Sequence, residues 1–138
     1  MAGLRFNTGK IKWRYLTPQA LGPMIEVLEY GDFKYSLYQS SKDSTKKFYG
    51  HQIHNMTYKT IEGSEWVKIE PNKWGNGLSI TECSESLMRH LFSFLEGNDI
   101  DKESGCLHIG HILCNALFIS YMFLFKPETD DRHLTKRK

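Results

Sequence analysis

Apolar and polar positions divide the chain into three helical stretches and one stretch of a different kind. Over residues 79–96, Ile80, Cys83, Leu87, Leu91, Phe94 and Leu95 gather on one side at about 100° per residue, and Glu82, Glu85, Ser86, Arg89, Ser93 and Glu96 gather on the other. Ser79 with Glu82 three residues later has the spacing of a capping box, and Gly97 is the expected stop. Residues 107–125 are apolar in every direction, which implies burial on all sides, yet His108, His111 and Asn115 form one polar stripe in the first turns. Residues 18–30 give a third helix, opened by Thr17-Pro18 and closed by Gly31, with Ala20, Leu21, Met24, Ile25, Val27 and Leu28 as its apolar side.

Between the helices at 18–30 and 79–96 the period changes. Residues 40–47 are polar and read as a mobile loop, and residues 56–71 alternate around Glu62-Gly63-Ser64 as a β-hairpin does. His51 and His54, in a loop-like part of this stretch, are expected to be structural or solvated. The expected architecture is one mainly α domain over residues 1–138, with an N-terminal arm at 1–16, a β-hairpin insertion within 36–73 and a flexible tail from 127. Three helices make a thin core, so self-association is expected to complete the bundle.

At 138 residues, 40% hydrophobic and 13% aromatic, the chain can build a core of its own. A net charge of +2 gives no general case for nucleic acid, and the basic cluster ending the chain reads as a solubilising tail. Cys83, Cys106 and Cys114 are odd in number and hold no CxxC pair, which points to a reducing cytoplasm. No charged-then-apolar leader opens the chain. The run 112–125 falls short of a span and Asn115 interrupts it, so no membrane role is expected.

Chemistry concentrates in residues 79–125. Glu82 and Glu85 stand a turn apart, with Arg89 a turn further on; the bland alternative is a solvated face with a Glu85–Arg89 pair. His108, His111 and Asn115 on an apolar helix are either paired structural groups or the lining of a polar site beside the acidic loop of Asp99, Asp101 and Glu103. Glu26 and Glu29 are spaced as a second ExxE pair, the alternative being ordinary surface residues near a helix end. Lys10 follows a turn signal among aromatic residues that include Trp13, where it could meet a phosphate while an aromatic ring meets a base, or simply lie in water. The GxxxxGK[ST] spacing of a phosphate loop is absent.

The runs GLRFNTGKIKW, EYGDFKY, SLMRH and DIDKESG followed by H..H...N resemble the phage dATP/dGTP diphosphohydrolases of the MazZ type, relatives of the MazG all-α nucleoside triphosphate pyrophosphohydrolases. The resemblance covers residues 3–35 and 74–121. It implies a MazG-like bundle that hydrolyses a purine deoxynucleoside triphosphate (dGTP or dATP) to the monophosphate and pyrophosphate with Mg²⁺ or Mn²⁺. On this basis Glu82, Glu85 and Arg89 are the expected catalytic residues, and Glu29, Glu82, Glu85, Asp101 and His111 the expected metal ligands. Lys10, Trp13, Lys34, Tyr35, His90, His108 and Asn115 are the expected substrate contacts. The chain departs from the MazG pattern where an ExxD motif would fall, because His108-x-x-His111 stands there, and histidine suits manganese or zinc better than magnesium. The insertion is longer than in the family and is expected to cap the site or meet a neighbouring subunit. The expected setting is the cytoplasm of a bacterial or phage-infected cell. The rival class is a non-catalytic helical protein that binds nucleotide or another subunit, and a zinc site on His108 and His111 is disfavoured by the lack of an HD pair.

Overall fold

A computed structural model describes residue 10 and residues 12–72 and 77–133. The readings placed on the arm up to residue 9, on Trp74 and on the tail from 134 lie outside the described residues. Helix α1 is Pro18–Tyr35, followed by strands β1 (Leu37–Ser40), β2 (Lys47–Tyr49) and β3 (Trp66–Glu70), then helices α2 (Ile80–Leu95) and α3 (His108–Phe125). The mainly α architecture with a small β insertion is what the pattern of the chain predicts.

The boundaries of α2 follow from its caps. Ser79 Oγ accepts from Glu82 N at 3.3 Å and donates to Glu82 Oε1 at 2.9 Å, while Gly97, at φ +99°, closes the helix and Asn98 N bonds back to Ser93 O at 3.1 Å. Helix α1 does not stop at Gly31 but runs one turn further to Tyr35. A glycine inside a helix costs about 1 kcal/mol, whereas the extra turn buries Phe33 against Tyr38, Ile53 and Ile61, and a buried phenylalanine is worth roughly 1.5–3 kcal/mol. Packing wins.

The insertion forms a three-stranded antiparallel sheet in the order β2-β1-β3, with Tyr38 opposite Phe48 on one side and Lys68 on the other. Its hairpin is therefore β1–β2, closed by the polar residues 41–46 that read as a mobile loop. Of the hairpin expected over 56–71 only the second arm is a strand. The first arm folds into turns because hydroxyls satisfy its backbone locally. Thr57 N donates to Thr60 Oγ1 at 2.9 Å, Ile61 N to Thr57 O at 3.0 Å, and Ser64 Oγ to Ile61 O at 2.6 Å.

Helix α3 is the central element, packed by α1 on one flank and α2 on the other, while α1 and α2 barely meet among the described residues. Gly110 permits the close approach of α1: a Cβ there would lie 2.3 Å from Pro23 O. Two small clusters fix the flanks, Val27 with Cys106 and Cys114, and Ile80 with Cys83 and Met122. Within one chain α3 is not buried all round, contrary to expectation, and Phe123, Leu124 and Phe125 are exposed at its end. By length and composition alone it would suffice for a membrane span; here its polar stripe faces a cleft between its two neighbours.

Candidate functional site

Because α1 and α2 both lean on α3 without closing on each other, a cleft of about 1060 Å³ opens between them. Helix α3 supplies its floor through His108, His111, Cys114, Asn115 and Phe118, and the turn before α3 closes one end with Asp101 and Glu103. Such a volume is at the upper end of small-molecule sites.

The turn between α2 and α3 is built to aim its side chains. Asp101 N bonds Cys106 O and Gly105 N bonds Asp101 O, each at 2.8 Å, with Gly105 at φ +74° where a side chain would strain the backbone. Asp101 Oδ2 accepts from Ser104 N at 3.0 Å and from Ser104 Oγ at 2.7 Å, and His108 N bonds Asp99 O at 2.8 Å as α3 begins. These bonds tie Asp101 to the first turn of α3.

Three histidines converge on it. His90 Nδ1 lies 2.8 Å from His108 Nδ1, so one of the two nitrogens carries the proton and the other accepts it. His108 Nε2 is 3.1 Å from Ser93 Oγ. The His111 ring stacks on His90 with centroids 4.2 Å apart and planes 2° from parallel, and His111 Nε2 meets Ser104 Oγ at 2.7 Å and Asp101 Oδ2 at 3.4 Å. Burial pushes the His111 pKa down to about 4, aided by the neighbouring His90 and opposed by Asp101. Burial lowers His90 as well, again against the pull of Asp101. Burial also acts to raise Asp101, but the Ser104 hydrogen bonds and the two histidines outweigh it and hold the carboxyl below the usual range. Near neutral pH His90 and His111 are therefore neutral imidazoles beside the Asp101 carboxylate.

One donor atom each from His90, Asp101 and His108 lies within 4.8 Å of the others. Two imidazole nitrogens facing each other beside a charged oxygen fit Zn²⁺ best, suit Mn²⁺ better than Mg²⁺, and fit Mg²⁺, which demands oxygen ligands, poorly. The set departs from the sequence expectation in its membership. His90 and His108, expected on the substrate, supply the facing nitrogens, whereas His111, expected on the metal, stacks on His90 and bonds Ser104.

The remaining candidates separate into those that line the cleft and those that do not. Glu82, Arg89, Lys34, Tyr35 and Asn115 line it; Glu29, Glu85, Lys10 and Trp13 do not. Glu82, eight residues before His90, stands about 12 Å along α2 from it. Asn115 Nδ2 donates to Ser86 Oγ at 3.2 Å and to His111 O at 2.9 Å, which leaves its Oδ1 to accept. Lys34 Nζ donates to Glu103 Oε1 at 2.8 Å, its ammonium lying 5.7 Å from the Tyr30 ring centre and 5.3 Å from that of Tyr35. Burial works against its charge, but the Glu103 bond and the two tyrosines raise its pKa overall.

Several lining residues escaped the sequence. Tyr49, Glu70 and Asn72 reach the cleft from the insertion with no local signal to mark them. Ser104, which does not line the cleft but holds Asp101 and His111, had a signal: an aspartate three residues before a serine is the spacing of a side-chain-capped turn.

The family model described as dATP/dGTP diphosphohydrolase, N-terminal, matches residues 1–132. A dATP/dGTP diphosphohydrolase of Salmonella phage PMBT28 is 30% identical over 77 residues, which cover 53% of this chain and only 27% of that protein. No solved structure matches.

Proposed function

The chain belongs to the dATP/dGTP diphosphohydrolase N-terminal family, and on that premise we propose that its cleft hydrolyses a purine deoxynucleoside triphosphate to the monophosphate and pyrophosphate. The observation that carries the proposal is the convergence, in one cleft large enough for a nucleotide, of the His90–Asp101–His108 cluster with the cations Lys34 and Arg89.

In this proposal His90, Asp101 and His108 hold the divalent cation, with Mn²⁺ the better fit of the two metals that the family resemblance implies. Bound there, such a cation neutralises phosphate charge and lowers the pKa of an attacking water. The protein's own groups do the rest. Lys34 and Arg89 face the cleft and hold phosphate oxygens as charge develops on the leaving pyrophosphate. His111, neutral and fixed by Ser104, orients the His90 ring by stacking. Asn115 offers Oδ1 to the substrate. Tyr35 and Tyr49, both exposed on the cleft wall, give the base a surface to stack on. Glu82 serves the far end of the cleft, too distant along α2 to share the cation, and Glu29 and Glu85 are left outside the ligand set.

The exposed apolar end of α3, with Phe92 and Leu95 on α2, is proposed to be covered by a second copy, and the protein to work in the cytoplasm. The activity is tested by incubation with each dNTP and Mn²⁺ or Mg²⁺, the products resolved by chromatography. Monophosphate and pyrophosphate from dGTP or dATP are expected. A diphosphate with inorganic phosphate, or no turnover of any dNTP, would refute it.

A further inference from the structure

The Lys34–Glu103 pair bridges the cleft from α1 to the metal-side turn, and its two members are held very differently. The Lys34 side chain is 23% exposed and lies against two tyrosine rings; that of Glu103 is 70% exposed and has Lys34 as its hydrogen-bond partner. The cation is thus a fixed part of the wall, and the carboxylate is the exchangeable partner. Lys34 keeps its charge with or without Glu103 beside it, since an ammonium ordinarily titrates near 10.5. An exposed ion pair is worth little, because water and salt compete with it at every moment. A phosphate brings more charge than a carboxylate and three oxygens to present it with.

Resting on the nucleotide reading above, we propose that Glu103 occupies the place of a substrate phosphate on Lys34, so that an entering polyphosphate displaces the carboxylate and the returning carboxylate helps to expel the pyrophosphate product. Glu103 then acts on the substrate by competing for one cation, without touching the reacting atoms. Asp101, two residues away, is fixed by Ser104 and cannot make this exchange. Glu103 is free to swing because its side chain meets solvent on most of its surface. The device also discriminates by charge: ligands carrying few negative charges gain little from displacing a carboxylate, and a triphosphate gains most.

The test is calorimetric titration of the full chain with inorganic pyrophosphate and with tripolyphosphate, in metal-free buffer and again with Mn²⁺. Glu103→Gln is expected to tighten both anions about two- to five-fold, the change to which the worth of an exposed pair corresponds, and pyrophosphate should inhibit any turnover more strongly. A second pair of chains removes the ambiguity of a general charge effect. Adding Glu103→Gln to Lys34→Gln should give none of that gain, because the cation competed for is gone. Unchanged or weaker anion binding by Glu103→Gln overturns the proposal, as does a loss of Mn²⁺ affinity, which would make Glu103 a ligand. The same gain in the absence of Lys34 overturns it too. Tightening without dNTP turnover in any chain would uphold the exchange and remove the hydrolase reading, whereas turnover without tightening would do the reverse.

Discussion

Two groups of side chains offer metal-type donors, and they differ in how the chain brings them together. Glu82 and Glu85 come from one turn of one helix, in the arrangement that spacing alone predicts. His90, Asp101 and His108 come from the last turns of α2, from the turn after it and from the first residue of α3. The first pair shares a helix but does not share an environment. Glu82 is tied to Ser79 as half of a cap and reaches the cleft, while Glu85 lies outside it. The second group shares a few ångströms of space with Ser93, Ser104 and His111 packed around it, and every polar contact there has a partner. A helix can align donors, but only a crossing of elements can make them converge.

The largest expected effect tests the converging group. His108→Ala removes one facing nitrogen and Asp101→Asn removes the charge while keeping the shape. Each should lower Mn²⁺ affinity by more than the roughly 10–100-fold that loss of an outer supporting partner costs, and turnover with it. Titration of Mn²⁺ followed by its electron-spin signal reads the affinity directly. If both variants bind Mn²⁺ as the parent does, the cation belongs elsewhere in the cleft, and Glu82 becomes the candidate.

A smaller effect tests the frame that makes the crossing. Gly110→Ala would favour the helix by about 1 kcal/mol in open space, but its Cβ would meet Pro23 O at 2.3 Å and Val27 Cγ2 at 3.0 Å. Overpacking of this kind costs roughly 1–3 kcal/mol, so a fall in the midpoint of urea unfolding is expected. Gly22→Ala, at an exposed position of α1 with nothing within 4 Å of the new methyl, should be neutral or stabilising. Equal behaviour of the two would mean that α1 does not press on α3 at this point.

The histidines also give the converging group a pH signature. His111 and His90 have folded-state pKa values below their ordinary value of 6.5, His111 at about 4, so on acidification the unfolded chain takes up protons first. Their contribution to stability is complete above about pH 6.5 and is lost progressively as pH falls toward about 4. The metal-free melting temperature should drop across that window, and should drop less in His111→Asn. A melting temperature that is flat from pH 6.5 to 4.5 would mean these rings are already open to water.

How much of this the sequence discloses depends on how local the cause is. The ends of α2 were legible because Ser79, Glu82 and Gly97 act within four residues of themselves. The end of α1 was not, since Gly31 is a stop only until Phe33 finds Tyr38, Ile53 and Ile61, which lie after it in the chain. The strand expected from residue 56 failed for the opposite reason: Thr57, Thr60 and Ser64 satisfy the backbone nearby and leave nothing to pair. Within the site, Asp101, His108 and His111 stood out by their positions, and His90 only through the family resemblance. Their arrangement was hidden, because it turns on the 2.8 Å meeting of His90 with His108 across two helices and on a serine, Ser104, that His111 bonds. The insertion was expected to cap the site or meet a neighbouring subunit, but which of its residues line the cleft was hidden, since Tyr49 and Asn72 reach it only through the register of the sheet and the turn beyond it.

The smallest expected effect belongs to Glu85, and it is the sharpest test of the contrast between aligned and converging donors. Glu85 and Glu82 project from neighbouring faces of α2, both exposed, and by spacing alone they are equals. The cleft distinguishes them. Glu85→Gln removes a charge from a solvent-facing position with no hydrogen bond to the site, so turnover should stay within a few-fold and stability within about 0.5 kcal/mol. Glu82→Gln removes the carboxylate that accepts from Ser79 Oγ, and the cap bond weakens, for a loss of roughly 0.5–1 kcal/mol. Melting curves and turnover against manganese concentration for the two variants separate the cases. A collapse of metal-dependent turnover in Glu85→Gln, with folding intact, would restore the helix pair to the centre of the chemistry. Since Glu85 does not line the cleft of its own chain, it would have to act in the cleft of a second copy, and mixing Glu85→Gln with an inactive Asp101→Asn chain would then recover activity.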